Sequence, residues 1–224
     1  MVVVVTPIKQ FVSNDCLDGM IGKINGAWLL QRRLSLGCTI RRHRLHLLGT
    51  HGTSRSRAEA IVASRQFIPT GEDGHAGAGI YFWSYIGNIK LAKHLATMWW
   101  HFYNKKNQYV GDADPSCAVI DVTICHPGQS AYVDATGEEF REALAELVDV
   151  LDGTQDFSFL KETGYLFKEL EKKSGEPILV AKVLLGMPKT NGIPSIVVRD
   201  FPMAPAYIVR RGGEALIEDC RITA

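Results

Sequence analysis

The sequence predicts an α+β fold with a mixed or antiparallel sheet. Three observations carry that expectation. The apolar runs are short, bounded by Gly and Pro, and separated by helical stretches of uneven length, without regular β-α-β alternation. No G-x-G-x-x-G follows a strand and opens a helix; Gly77-Ala78-Gly79 precedes a strand instead. And 224 residues at 46% hydrophobic content fill one core, with a small appendage at most.

Taken in order, residues 1–40 form an accessory segment. Val2–Val5 is a short strand or an ordered arm. Residues 14–36 are partly helical from an Asn14 cap through Leu34, weakened by Gly22 and Gly26. The main domain, 41–224, opens with a strand over Arg44–His51 that runs into a tight His51-Gly52-Thr53 turn. A helix follows over Ser54–Ser64, its apolar stripe being Ala58, Ile61 and Val62. Phe67–Gly79 is a polar, Gly-rich loop long enough to cover a ligand. Ile80–Trp83 is a strand. Asn88 to about Asn104 is a helix, with Ile89, Ala92, Leu95, Ala96 and Trp99 at helical spacing.

Asn107–Pro115 is a polar loop and Cys117–Cys125 a strand. Thr136-x-x-Glu139 caps an amphipathic helix that Gly153 stops. Asp156–Lys173 is helical, with Gly164 as an expected break. Strands follow over Pro177–Leu185, Ile193–Arg199 and Tyr207–Arg210, the last two separated by Asp200–Pro205. The tail from Glu214 to Ile222 is a strand or a short helix.

Net charge is +1, which excludes a wholly electrostatic binder of nucleic acid. The charge is uneven, however. Residues 1–66 hold ten Lys/Arg against three acids, a local +7, leaving −6 for the remainder. That basic third faces an acidic partner or is simply a solvated surface. The five cysteines are scattered without a C-x-x-C pair, which argues against a disulfide framework or a zinc ribbon. No apolar run reaches the ~20 residues of a membrane span. Met1–Val5 lacks the build of a signal sequence. A reducing, cytoplasmic setting is expected, with no membrane partner. His94 and His101 lie seven apart on a Trp-rich helix; without H-E-x-x-H this reads as a helix face rather than a metal site. The run Trp99-Trp100-His101-Phe102-Tyr103 offers rings to stack bases, although core packing is the commoner use.

Three pieces carry chemistry. Gly52, directly after His51, lets the backbone approach a flat ligand, gripping an amide through N–H and C=O. His51 offers a donor to a hydroxyl. Tyr81, after Gly77-Ala78-Gly79-Ile80, offers a ring to stack. Each is weak alone. In this order, His51-Gly52-Thr53, the loop Ile68–Gly77, Gly77-Ala78-Gly79-Ile80-Tyr81-Phe82 and Ala206-Tyr207-Ile208-Val209 resemble the diphtheria-toxin-like ADP-ribosyltransferases, which include the poly(ADP-ribose) polymerase catalytic domains. The resemblance covers residues 44 to about 215.

It implies split mixed or antiparallel sheets with NAD, the substrate that supplies ADP-ribose, bound in the cleft between them. His51 would then hold the adenine-side ribose, and Gly52 the nicotinamide carboxamide. Thr53 would lie beside the amide or ribose, and Tyr81 would stack on the nicotinamide ring. His94, Ile89 and Leu91 lie near further family positions without a clear register. The family's catalytic Glu precedes Tyr-Ile-Val, and here that place holds Ala206. Either the Glu has been substituted to disarm a harmful protein, or the chain lacks it by nature. The match at His51, Gly52 and Tyr81 favours the first. Glu214 and Glu218 lie too far along the chain to stand in for it.

The expected function is therefore that of an NAD-dependent mono-ADP-ribosyltransferase. The implied setting is a bacterial or phage-related toxin that modifies a nucleic acid or protein acceptor and is held in check by an antitoxin protein. Two alternatives stand beside it: a catalytically dead module of the same fold that binds RNA or protein, and, more weakly, a relative of the NAD-using RNA 2′-phosphotransferases.

Overall fold

The computed structural model describes residues 45–71, 74, 76–85, 89–138, 140–142, 145, 159–188 and 203–223, without the side chains of 159–162. The accessory segment 1–40 and the expected strand Ile193–Arg199 lie outside the described residues. So do Glu139 and nearly all of the helix that Thr136 was expected to open; its beginning is seen, since residues 138 and 140–142 are helical.

The described chain is α+β. Its strands are β1 (His46–Ser54), β2 (Ile80–Ser84), β3 (Cys117–Cys125), β4 (Tyr132–Asp134), β5 (Val180–Gly186), β6 (Met203–Val209) and β7 (Ile217–Ile222). They form one seven-stranded sheet in the order β4-β5-β6-β2-β1-β3-β7. The β4–β5 pair is parallel; every other registered pair is antiparallel. Helices α1 (Arg55–Ser64), α2 (Ile89–Asn104) and α3 (Phe159–Ser174) flank it. Residues of α2 and α3 share a core with one face of the sheet, through Leu95, Ala96, Leu166 and Phe167 against Trp83, Val183 and Ile208. Ala58 of α1 packs on the other face, with Phe82, Ile120 and Val209.

The sheet is pinched at its middle. β1 and β3 are registered along nine pairs, from His46↔Cys125 to Ser54↔Cys117. β2 and β6 share four, from Ile80↔Val209 to Trp83↔Ala206. Between them, β1 and β2 are registered only at Gly49↔Ser84 and Thr50↔Trp83. Beyond Thr50 the two strands part, so a single sheet forks where two separate sheets were expected.

Three sequence expectations need correction here. His51-Gly52-Thr53 is no turn: β1 continues to Ser54 and the helix starts at Arg55. Gly164 does not break α3, which runs unbroken through it. Its lack of a side chain instead lets the loop approach, since a Cβ there would lie 3.0 Å from the Cα of Gly77. Finally, β6 begins at Met203, so Pro205 is inside a strand. Proline is tolerated there because Pro205 pairs with Leu184 of β5 but lies beyond the last registered pair with β2.

Candidate functional site

The site lies in the fork, and strand alternation explains its shape. The carbonyl of Leu48 accepts the N–H of Tyr85 at 3.0 Å, so Leu48 directs its backbone groups towards β2. Every second residue of a strand faces the same neighbour. Thr50 and Gly52 therefore present N–H and C=O on that side as well. Thr50 is registered with Trp83, but Gly52 has no registered partner on β2. Its amide and carbonyl thus face the opening. On the opposite wall the carbonyl of Tyr81 accepts a hydrogen bond from His51 Nδ1 at 3.1 Å.

That bond fixes the tautomer of His51. A carbonyl only accepts, so Nδ1 carries the proton. Burial pushes the imidazole pKa below its usual value, while the bond to Tyr81 works weakly in the other direction. The neutral ring then has its lone pair on Nε2. His51 can accept a bond from a ligand hydroxyl there, the reverse of the donor role read from the sequence. Phe67 and Phe82 meet the ring edge-on at 5.5 and 5.9 Å and hold it in place.

Gly52 is required for a second reason. Thr50 Oγ1 donates to the carbonyl of Ala92 at 2.9 Å, pinning β1 to α2. Two residues further along the strand, about 6.6 Å on, Gly52 meets the helix about one turn later, about 6 Å along its axis. A Cβ on Gly52 would lie 1.8 Å from the carbonyl oxygen of Ala96. Only glycine lets β1 lie so flat on α2.

Tyr81 is clamped at its far end. Its hydroxyl donates to the carbonyl of Gly77 at 2.5 Å and accepts from the N–H of Ala76 at 2.9 Å. Burial raises its pKa to about 12, so it stays protonated at neutral pH. The clamp uses the loop before β2. There Gly77 holds a φ of +95°, open to glycine but strained for other residues, and packs against Gly164 of α3. Next to it, Arg210 reaches Glu171 of α3 at 2.7 Å and stacks over Phe167 at 5.2 Å.

The cleft between these walls is narrow and open to solvent. Thr50, His51 and Gly52 line it from β1, Tyr81, Phe82 and Trp83 from β2, and Ala206 from β6. Trp99 of α2 and Leu185 of β5 complete it. The structure thus brings together His51, Gly52, Tyr81 and Ala206. Thr53 does not line the cleft; it is buried, as is Tyr109. Among the described residues, no carboxylate lines the cleft. Glu214 accepts from the N–H of Gly212, and Glu218 pairs with His46 at the β7 side, so neither supplies one. Ala206 is fully buried and registered with both Trp83 and Val183.

Thr50, Phe82, Trp83, Trp99 and Leu185 were not foreseen as site residues. Trp83 follows Tyr81 by two, which strand alternation puts on the same face. Trp99 belongs to the apolar stripe of α2, so it had to face the sheet. Nothing local marks Leu185, which depends on β5 lying beside β6.

Among the described residues there is no cluster of His, Cys, Asp and Glu suited to a metal ion, and no helix long and apolar enough to cross a membrane. No protein-family model matches this chain, and no curated protein matches its sequence.

Proposed function

We propose that the fork between β1 and β2 is the nicotinamide end of an NAD site, and that the chain is an NAD-dependent mono-ADP-ribosyltransferase lacking its catalytic carboxylate. One observation carries this reading. The strands part so that the free backbone edge of Gly52, the ring of Tyr81 and position 206 share one small cleft. The cleft opens to solvent; in this reading it receives the nicotinamide end of NAD, and the adenine end extends outward.

Each residue has a task in this reading. Gly52 donates its N–H to the carboxamide oxygen and accepts the amide N–H₂ on its carbonyl. Tyr81, held by Ala76 and Gly77, stacks on the pyridinium ring. Neutral His51 accepts a ribose hydroxyl on Nε2. A glutamate at 206 would accept the 2′-hydroxyl of the nicotinamide ribose and face the positive charge that grows on the sugar. The C1′–N bond then breaks, nicotinamide leaves with the electron pair, and a nucleophile on the acceptor bonds to C1′ and gives up its proton. With Ala206 the first four contacts remain, but that charge has no counter-charge.

The test is nicotinamide release from NAD by this chain and by Ala206→Glu. Placing a preorganised electrostatic partner at a reacting centre is worth roughly 10²–10³ in rate. The Glu variant is expected to exceed the present chain by at least that factor. Equal and negligible release from both, with both folded, would end the transferase reading. The remaining proposal would then be a binding module on the same scaffold. The setting that goes with this reading is a toxin held in check by an antitoxin protein, tested by whether the Ala206→Glu chain arrests growth of its expression host.

A further inference from the structure

From Ile89 to Gly111 the sequence contains four lysines, two histidines and no acid. The structure shows how these charges lie against the aromatic run of α2. Trp99 is a wall of the cleft and meets Trp83 at 5.8 Å on that side. Its other neighbours are Phe102 at 6.0 Å and Tyr103 at 5.3 Å. Phe102 is 36% exposed, large for a phenylalanine. Lys106 Nζ lies 4.2 Å from its ring centroid and 6.0 Å from that of Tyr103. Lys105 is exposed beside it. Of the other cations, Lys93 is paired with Asp121 at 3.2 Å. The first acid after the run, Asp112, is held by Arg57 at 2.8 Å.

An aromatic path therefore runs from the cleft, through Trp99, to a solvent-exposed ring capped by lysine. We infer that this end of α2 is the acceptor surface and that it takes single-stranded nucleic acid. Bases stack on Phe102 and its neighbours, phosphates meet Lys105 and Lys106, and the strand is led along Trp99 towards the fork. The inference deepens the proposed transferase function and rests on it for the chemical step, though not for binding. Aromatic platforms flanked by cations are how single strands are held without base-specific hydrogen bonds. A protein acceptor fits less well, because lysine is depleted where proteins meet. A duplex fits poorly, because its bases are already stacked on one another.

The experiment is fluorescence anisotropy of labelled oligonucleotides of about twelve nucleotides, using the chain as it stands. Single-stranded RNA, single-stranded DNA and the matching duplex are compared at several salt concentrations. The single strands are expected to bind more tightly than the duplex, and whichever binds better names the natural acceptor. Phe102→Ala is expected to weaken the single strand by about fivefold to about 160-fold, the span of one lost base–aromatic stack. Lys105→Ala with Lys106→Ala should lower the salt slope by about 1.4, at roughly 0.7 per phosphate. Lys172→Ala with Lys173→Ala, the same charge change on α3, should leave that slope in place. Circular dichroism confirms that each variant is folded. Binding that ignores both α2 variants, or that prefers the duplex, would overturn the inference. So would an active Ala206→Glu protein that labels only protein. Intact strand binding with an inactive Ala206→Glu protein would retain this surface and reject the transferase reading, so the two failures are distinguishable.

Discussion

Gly52 and His51 show how much one position determines here. Gly52→Ala would drive a methyl group into the backbone of α2, since its Cβ lies 1.8 Å from the Ala96 carbonyl oxygen. Backbone cannot step aside as a flexible side chain does. The expected loss is about 1–3 kcal/mol or more, read as a lower midpoint in urea. A variant as stable as the parent would mean that β1 does not lie on α2 as described. His51 makes a prediction in pH. Its folded pKa lies below the unfolded value of 6.5 because burial disfavours the cation. Above pH 6.5 both states are neutral, and the full stability is present. As pH falls below 6.5 the unfolded chain takes up the proton first, so stability drops. Burial shifts His126 the same way and adds to the slope. His51→Gln should flatten the fall between pH 7.5 and 5.5 without abolishing it; an unchanged slope would contradict the buried neutral ring.

Residue by residue, the candidate site was legible in part: His51, Gly52, Tyr81 and Ala206 stand out in the sequence and line the cleft, whereas Thr53 lies outside it and Thr50, Phe82, Trp83, Trp99 and Leu185 join it only through the fold. What misled was Gly52 itself. Glycine in a strand ordinarily signals a turn, and here it signals close contact with a helix that lies some forty residues away in the sequence.

Among the elements, α3 and the loop before β2 act together. Gly164 allows the loop to sit on α3, and the loop in turn holds the hydroxyl of Tyr81. Gly164→Leu should push Ala76 and Gly77 outward, cost about 1–3 kcal/mol through overpacking, and release the Tyr81 clamp. Weaker NAD binding would accompany it, measured by calorimetry; unchanged stability and binding would show that the contact is dispensable. A gain is also expected at the end of α1. Arg65 holds a left-handed φ of 57° and donates its N–H to Ile61 at the helix C-terminus. Glycine is at ease there. Arg65→Gly is expected to raise stability by up to ~1 kcal/mol, the strain of about 1–2 kcal/mol being partly offset by unfolded-chain entropy. A lower urea midpoint would contradict it. The element boundaries that the sequence misplaced share one cause. Gly164, Pro205 and Gly52 are breakers by local rule, and each is accommodated by a neighbour distant in sequence.

At the scale of the whole molecule, the fork is a property of strand order, which no local pattern reveals. β2 is paired along its length to β6, β1 along its length to β3, and the two halves meet at two residue pairs. That arrangement explains why chain segments from residues 50, 81 and 206 reach one cleft, and why Leu185 joins them unannounced. It also leaves the backbone of Gly52 open on the side where a ladder would otherwise close it.

The most direct measurement is a calorimetric titration of NAD into the chain as it stands. One-to-one binding is expected, weakened by Tyr81→Ala and competed by nicotinamide, because Gly52, Tyr81 and His51 remain in place without the carboxylate. A folded chain that takes up no NAD, with no change on adding a glutamate at 206, would contradict the assignment of the fork as an NAD site.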